Sequence, residues 1–197
     1  MTTDESKASK GFINDLKSIP SPMFYILAAV AVFAGLYVGG FTAFGIISSL
    51  FLLLLVACAV ADINAGIVPD LIILLIAVLG VVNYFVTESV SLSTALPHLI
   101  GAVCVSVPML VIALLIKGAF GGGDIKLMAA GGLYLGWKSS LVGVVIGMFF
   151  AGLYGIYLLL RKKAGFKSKL RIAPFLSYGL GIAALFGDVL IRLLFGW

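Results

Sequence analysis

The sequence predicts an all-α fold, a polytopic transmembrane bundle of six to seven helices. Of its 197 residues, 62% are hydrophobic and only 11% are charged, and the mean hydropathy is +1.24. A soluble domain carries roughly 25% charged residues because its surface faces water, so this chain is expected to face lipid. In lipid only helices and closed barrels satisfy the backbone hydrogen bonds, and the long unbroken apolar runs favour helices.

Seven apolar runs, separated by turn signals, give the candidate spans. They cover residues 23–38, 44–61, 71–86, 99–116, 125–136, 141–160 and 175–194. The run at 125–136 is short, because it extends only about 18 Å as a helix, less than the roughly 30 Å hydrocarbon core. Residues 1–22 form a polar tail that lacks the apolar core of a signal peptide, and residues 23–197 are expected to form a single membrane domain.

Basic residues predict the orientation of these spans and favour keeping the short one. With the N-terminus in the cytoplasm, eleven Lys and Arg residues lie on the inside, and only Lys138 and Arg192 lie outside, as the positive-inside rule requires. Without the 125–136 span, the basic cluster at 161–171 would lie on the wrong side. The formal net charge of +5 is therefore interpreted as an orientation signal and not as a nucleic-acid-binding surface.

Eight acidic residues are available for chemistry in or near the membrane. Five of them are accounted for as tail, loop or helix-end charges: Asp4, Glu5, Asp15, Glu88 and Asp188. The remaining three are Asp62, which follows an uncharged apolar run, Asp70, and Asp124, which follows a run of three glycines. An ionisable side chain at membrane depth costs several kcal/mol, so such a residue is a functional candidate.

Asp62 and Asp124 are both expected at the cytoplasmic edge, one at the C-terminal end of a helix and the other at the N-terminal end. If packing brings their carboxyl groups together, the pair shares a proton and supplies a general base and a general acid at one pH. Such a pair activates water against a peptide carbonyl. The same positions are equally compatible with helix caps and loop charges, and buried carboxylates also suit ion coordination in a small transporter or channel subunit.

Three stretches resemble signatures of the type IV prepilin peptidase family, whose members are GxGD membrane aspartic peptidases. Residues 62–70, Asp-Ile-Asn-Ala-Gly-Ile-Val-Pro-Asp, resemble the first signature, an aspartate followed seven residues later by proline and then Asp or Asn. Residues 121–136, which begin Gly-Gly-Gly-Asp-Ile-Lys, resemble the GxGD motif and its following helix. Residues 170–179, Leu-Arg-Ile-Ala-Pro-Phe-Leu-Ser-Tyr-Gly, resemble the basic loop and Pro-Phe turn that open the last helix.

The resemblance implies a GxGD aspartic protease-like fold in which Asp62 and Asp124 are the catalytic pair. It also implies substrate-binding or supporting positions, which are Gly121, Gly122, Gly123, Lys126, Pro69 and Asp70. Gly121 and Gly123, which lack a Cβ atom, are expected to let the substrate backbone approach Asp124 and to tolerate positive φ.

Two of the supporting residues carry charge. Asp70 is interpreted as a structural residue that caps the third span, with a direct role in the site as the less favoured alternative. Lys126 is expected either to influence the charge of Asp124 or to extend to the interface as an ordinary lysine.

The family's substrates are prepilins and prepilin-like proteins, each with a short basic leader, a Gly–Phe-like junction and a long apolar helix. The resemblance implies hydrolysis after the leader glycine at the cytoplasmic face of the inner membrane, without a metal or cofactor. Longer members carry paired CxxC cysteines and also methylate the new N-terminus. This chain has only Cys58 and Cys104, interpreted as small buried hydrophobic residues, so methylation is not expected. The oligomeric state and the particular pilin stay open.

A GxGD protease of the presenilin or signal peptide peptidase type is disfavoured. Those proteins pair a Tyr-Asp with the GxGD motif and later carry Pro-Ala-Leu. Here Asp62 follows Ala61, and the late turn at residues 173–175 is Ala-Pro-Phe.

Overall fold

The computed structural model describes residues 21–88, 90–116, 118–161 and 171–195. These segments form seven helices and contain no β-strand, so the all-α prediction is confirmed for them. The helices are α1 Ser21–Gly39, α2 Ala43–Ala65, α3 Asp70–Thr87, α4 Leu92–Cys104, α5 Ser106–Leu115, α6 Gly122–Leu160 and α7 Ala173–Phe195. The predicted tail, residues 1–22, lies outside the described residues except for its last two, which open α1.

Most of these helices are suited to a bilayer. Five stretches are long and apolar enough to cross a membrane, namely Ala43–Ala65, Asp70–Thr87, Leu92–Leu115, Gly122–Leu160 and Ala173–Leu193. A shorter apolar helix, Phe24–Gly39, precedes them. The chain is therefore a multi-pass membrane protein, whereas the side that each end faces stays a prediction.

The fourth span begins earlier than predicted. It starts at Leu92 and not at residue 99, because Ser91 acts as an N-cap: its hydroxyl accepts a hydrogen bond from the N–H of Thr94 over 3.3 Å. Pro97, which is typical of a turn in the sequence, lies inside this helix.

The same span is also broken in its middle, at Val105 between α4 and α5. Pro108 explains the break, because a proline ring inside a helix collides with the carbonyl group four residues earlier, here that of Cys104. Most side chains of α5 are exposed on the surface of the protein.

α6 is not one straight helix but turns sharply at Gly136. A straight helix of 39 residues would be about 58 Å long, far more than the bilayer core. Gly136 has φ 76° and ψ 171°, a conformation that is essentially restricted to glycine. We call residues 122–135 the first arm and residues 137–160 the second arm.

The two arms run in opposite directions beside α7. Gly131 in the first arm and Gly143 in the second both lie against Leu180, although a straight helix would separate these two glycines by about 18 Å. The predicted fifth and sixth segments, 125–136 and 141–160, are thereby confirmed as two separate helices.

The first arm runs antiparallel to α2. Near the start of α2, Phe51 stacks on Tyr134 of the arm with 3.8 Å between ring centroids. Just beyond the end of α2, Val68 meets Gly123 at the beginning of the arm. The end of α2 and the start of α6 therefore lie at the same end of the bundle.

The core of the bundle lies around the first arm, where α2, α3 and α7 meet it. The largest fully buried apolar side chains come from these four helices: Phe51, Ile76, Leu127, Met128, Leu176 and Leu180. Lipid tails are as apolar as these side chains, so close packing and not transfer from water favours their association.

Glycine pairs bring some helix backbones into direct contact. Gly101 of α4 lies against Gly132 of the first arm, and Gly143 of the second arm lies against Gly179 of α7. In each pair a Cβ atom on either residue would approach the carbonyl oxygen of the other. Small residues allow this close approach between membrane helices.

Substituting Gly136 by alanine is expected to lower the free energy of unfolding by about 1–3 kcal/mol, because alanine does not adopt this backbone conformation without strain. The nearest atom to the new Cβ, the carbonyl oxygen of Pro97, is 3.7 Å away, so the loss reports strain and not a clash. Thermal unfolding in detergent micelles measures it. Gly152→Ala, which adds a Cβ into open space, is the matched control. Equal melting temperatures for the two variants would show that Gly136 does not adopt the strained turn conformation.

Candidate active site

Asp62 lies in the last turn of α2, which extends to Ala65 and does not end at residue 61 as predicted. Gly66 ends the helix in the left-handed conformation, with φ 68° and ψ 23°, and its N–H donates to the carbonyl oxygen of Asp62 over 2.9 Å. This is a common glycine C-cap, and it fixes the turn that carries the aspartate.

Asp124 is the third residue of α6. Its Oδ2 atom accepts a hydrogen bond from the backbone N–H of Gly121 over 3.1 Å, which closes the helix N-terminus as in a capping box. A carboxylate in the first turn also interacts favourably with the positive end of the helix dipole. The side chain of Asp124 is therefore held by its own helix.

The structure brings the two carboxyl groups to one end of the bundle. Asp62 is 7% exposed and Asp124 is 8% exposed, and the two side chains are close enough for their charges to interact. Oδ2 of Asp62 has no hydrogen-bond partner among the described residues. A buried carboxylate oxygen without a partner is costly, so this oxygen is available to a proton, a water molecule or a substrate group.

The three glycines before Asp124 have different environments. A Cβ on Gly121 would lie 3.1 Å from Oδ2 of Asp124, and a Cβ on Gly123 would lie 2.9 Å from the Cβ of Val68. Gly122 has no atom within 4 Å of its Cβ position. None of the three has a positive φ. The freedom to adopt a positive φ is therefore not used at Gly121 and Gly123, where close packing accounts for the missing side chain. The approach of a substrate backbone at these positions stays a prediction.

Lys126 and Asp70 form an ion pair, with 2.8 Å between Nζ and Oδ1. Asp70 is the first residue of α3, and Pro69 occupies the N-cap position without a side-chain hydrogen bond. The expectation that Asp70 caps this helix is therefore wrong, although an acid in the first turn remains favourable. The lysine and aspartate side chains are 57% and 74% exposed, so the pair contributes only about 0–1 kcal/mol. It does connect the start of α3 with the helix of Asp124.

Arg171 also reaches this site, although the sequence analysis assigned it only to orientation. It lies two residues before the start of α7, and its Nη1 atom donates to the carbonyl oxygen of Ile63 in the last turn of α2. Its charge is also within electrostatic range of Asp62. The sequence does show Arg171 as the last basic residue before the Pro-Phe turn. It does not show that the segment before α7 packs against the end of α2, so this contact could not be predicted.

Within the described segments, no group of three or more His, Cys, Asp or Glu residues could hold a metal ion. Cys58 and Cys104 are both free thiols; Cys58 is buried as predicted, and Cys104 is partly buried. The absence of a metal and of a cofactor stays a prediction. The arrangement itself offers two buried carboxyl groups, which is the set that general acid–base chemistry requires.

A family model described as the type IV leader peptidase family matches residues 49–156, more than half of the chain, and this range includes both aspartates. The chain belongs to the type IV leader peptidase family. The resemblance found in the sequence is thereby confirmed.

Two relatives illustrate the range of similarity to this family member. The prepilin leader peptidase/N-methyltransferase of Bacillus subtilis (strain 168) is 30% identical over 173 residues, which cover 85% of the chain and 68% of the relative. The protein of the same name from Aeromonas salmonicida (strain A449) is 32% identical over 76 residues, which cover 39% of the chain and 26% of the relative. No solved structure matches the chain.

The glycine run predicts a contrast between neighbouring substitutions. Gly123→Ala is expected to lower the free energy of unfolding by about 1–3 kcal/mol, because the new methyl group overpacks the buried side chain of Val68. Gly122→Ala places the same methyl group in open space and is expected to be neutral, or stabilising by up to about 1 kcal/mol. Thermal unfolding of the two purified variants in one detergent provides the comparison, and equal stability would show that this loop packs differently.

Proposed function

We propose that this protein is a membrane-embedded aspartic endopeptidase that removes the short basic leader peptide of type IV prepilins or prepilin-like proteins. Membership of the leader peptidase family supports the peptidase role and the substrate class. The observation that carries the proposed chemistry is the burial of Asp62 and Asp124 together at one end of the bundle.

The two carboxyl groups act as a base and an acid that share one proton. One aspartate removes a proton from a water molecule, whose oxygen forms a bond to the carbonyl carbon of the scissile peptide. The other aspartate protonates the carbonyl oxygen. The C–N bond then breaks, the amine leaves with the proton held by the first aspartate, and the second recovers its proton from the hydrated carbonyl. The cycle restores the pair and requires no cofactor.

The position of the aspartates at the end of the bundle suits a substrate that is polar on one side of the cleavage site and apolar on the other. The basic leader remains in water near the membrane surface, while the apolar helix of the prepilin lies in lipid. The positive-inside pattern directs the end with both aspartates towards the cytoplasm. Cleavage is therefore proposed after the leader glycine at the cytoplasmic face of the inner membrane.

Asp62→Asn and Asp124→Asn are each expected to abolish leader removal, a loss of roughly 10²-fold or more, because an amide neither accepts nor supplies the proton. The assay is co-expression with a prepilin, followed by mass determination of the mature pilin from the membrane fraction. Asp188→Asn is the matched control, since Asp188 is an exposed carboxylate in α7 outside the proposed site, and it should cleave as the native protein does.

The outcomes separate the proposal from its rival. If Asp62→Asn or Asp124→Asn were inserted at the native level and still cleaved the prepilin, the proposed mechanism with two aspartates would be wrong. If the native protein cleaved no class of prepilin, the result would favour the alternative function. In that alternative the protein is a transporter or channel subunit, and the same aspartates coordinate ions.

We also expect the mature product to carry an unmethylated amine. The described chain has no CxxC pair, the feature that accompanies methylation in longer members, although its relatives are named as N-methyltransferases as well. Mass spectrometry of the N-terminal peptide of the mature pilin distinguishes the two products. A product heavier by one methyl group, in cells without another leader peptidase, would contradict this expectation.

A further inference from the structure

We propose that Arg171 is a positioning residue, which holds the turn that carries Asp62 and keeps a positive charge beside its carboxyl group. The inference rests on the proposed peptidase function, because it assigns a role to Asp62. It adds to that function a direct support of the site by the segment that precedes α7.

Arg171 satisfies a backbone carbonyl group at the end of α2. The last carbonyl groups of a helix have no partner within the helix. Here the carbonyl of Asp62 accepts the N–H of Gly66, and the carbonyl of Ile63 accepts Nη1 of Arg171. Two consecutive carbonyls of the turn with the aspartate are thus satisfied, the second by a side chain from the segment that precedes α7. Loss of that donor frees one face of the turn.

The guanidinium group of Arg171 also fits against Gly66, the glycine that ends α2. A Cβ on Gly66 would lie 3.8 Å from both Nε and Nη2 of Arg171, which is ordinary van der Waals contact. The planar guanidinium therefore lies alongside the glycine cap while it donates to Ile63. Lysine carries the same charge on a single flexible ammonium group and lacks this planar fork, so it should replace arginine only in part.

Arg171 also places a positive charge within electrostatic range of Asp62. Asp62 is buried at the C-terminal end of its helix, where the helix dipole opposes a negative charge. Asp124 has the opposite situation, since it lies at a helix N-terminus and accepts a backbone N–H. Arg171, whose charge acts on Asp62, supplies for one aspartate the compensation that the helix N-terminus supplies for the other.

The test compares Arg171→Gln and Arg171→Lys in a quantitative prepilin cleavage assay with purified protein in detergent. We expect Arg171→Gln to lower kcat roughly fivefold, the effect of losing a cation at a helix C-terminus, with little change in KM. Arg171→Lys should recover part of that loss. Arg161→Gln is the matched control, because Arg161 also lies at a helix end but contacts the ring of Tyr157, 5.4 Å from its centroid.

Hydrogen–deuterium exchange provides a readout that does not depend on cleavage. In Arg171→Gln the amides of residues 62–67 should exchange faster than in the native protein, since the end of α2 loses a tertiary contact. The same amides should be unchanged in Arg161→Gln.

Several results would overturn the proposal. A higher KM at unchanged kcat in Arg171→Gln would indicate that Arg171 contacts the substrate. Equal losses of activity in Arg171→Gln and Arg161→Gln would indicate a nonspecific effect of removing one positive charge. Unchanged exchange at residues 62–67 would exclude the positioning role even if activity fell. If the native protein failed to cleave, the proposed function would fail by itself, while the exchange experiment would still decide whether Arg171 holds this turn.

Discussion

Two carboxyl groups buried at one end of an apolar bundle impose the main electrostatic constraint on this protein. A charged side chain near hydrocarbon is expensive, so each aspartate requires its own compensation. Asp124 obtains it locally, from the start of its helix and the N–H of Gly121. Asp62 lies at a helix end of the opposite polarity, and the charge of Arg171, from a distant part of the chain, acts on it. The end of α2, the start of α6 and the segment before α7 meet at this point.

The turn at Gly136 makes this meeting possible within the thickness of a membrane. It divides α6 into a first arm that packs against α2 and a second arm that returns beside α7. Asp124 is therefore at the beginning of a central helix that contacts four others, α2, α3, α4 and α7, and its position is fixed by packing on several sides. A straight helix of the same length would extend beyond the bilayer and separate these contacts.

Much of this arrangement could be predicted because it depends on local patterns. Apolar runs predicted the helices, and the basic residues favoured treating 125–136 as a separate segment, which the turn at Gly136 supports. The features that sequence analysis missed depend on contacts between distant residues. Nothing local indicates that Gly123 must avoid Val68, or that Arg171 reaches the end of α2. The early start of the fourth span, at Leu92 after the cap of Ser91, was also missed.

The glycine pairs between helices limit how this interface can change during evolution. In most cores an enlarged side chain can be accommodated when a neighbour becomes smaller. At Gly101 and Gly132, and again at Gly143 and Gly179, the neighbour is already the smallest residue and the contact involves backbone atoms. No suppressor substitution at the opposite position can therefore rescue a larger residue in either pair.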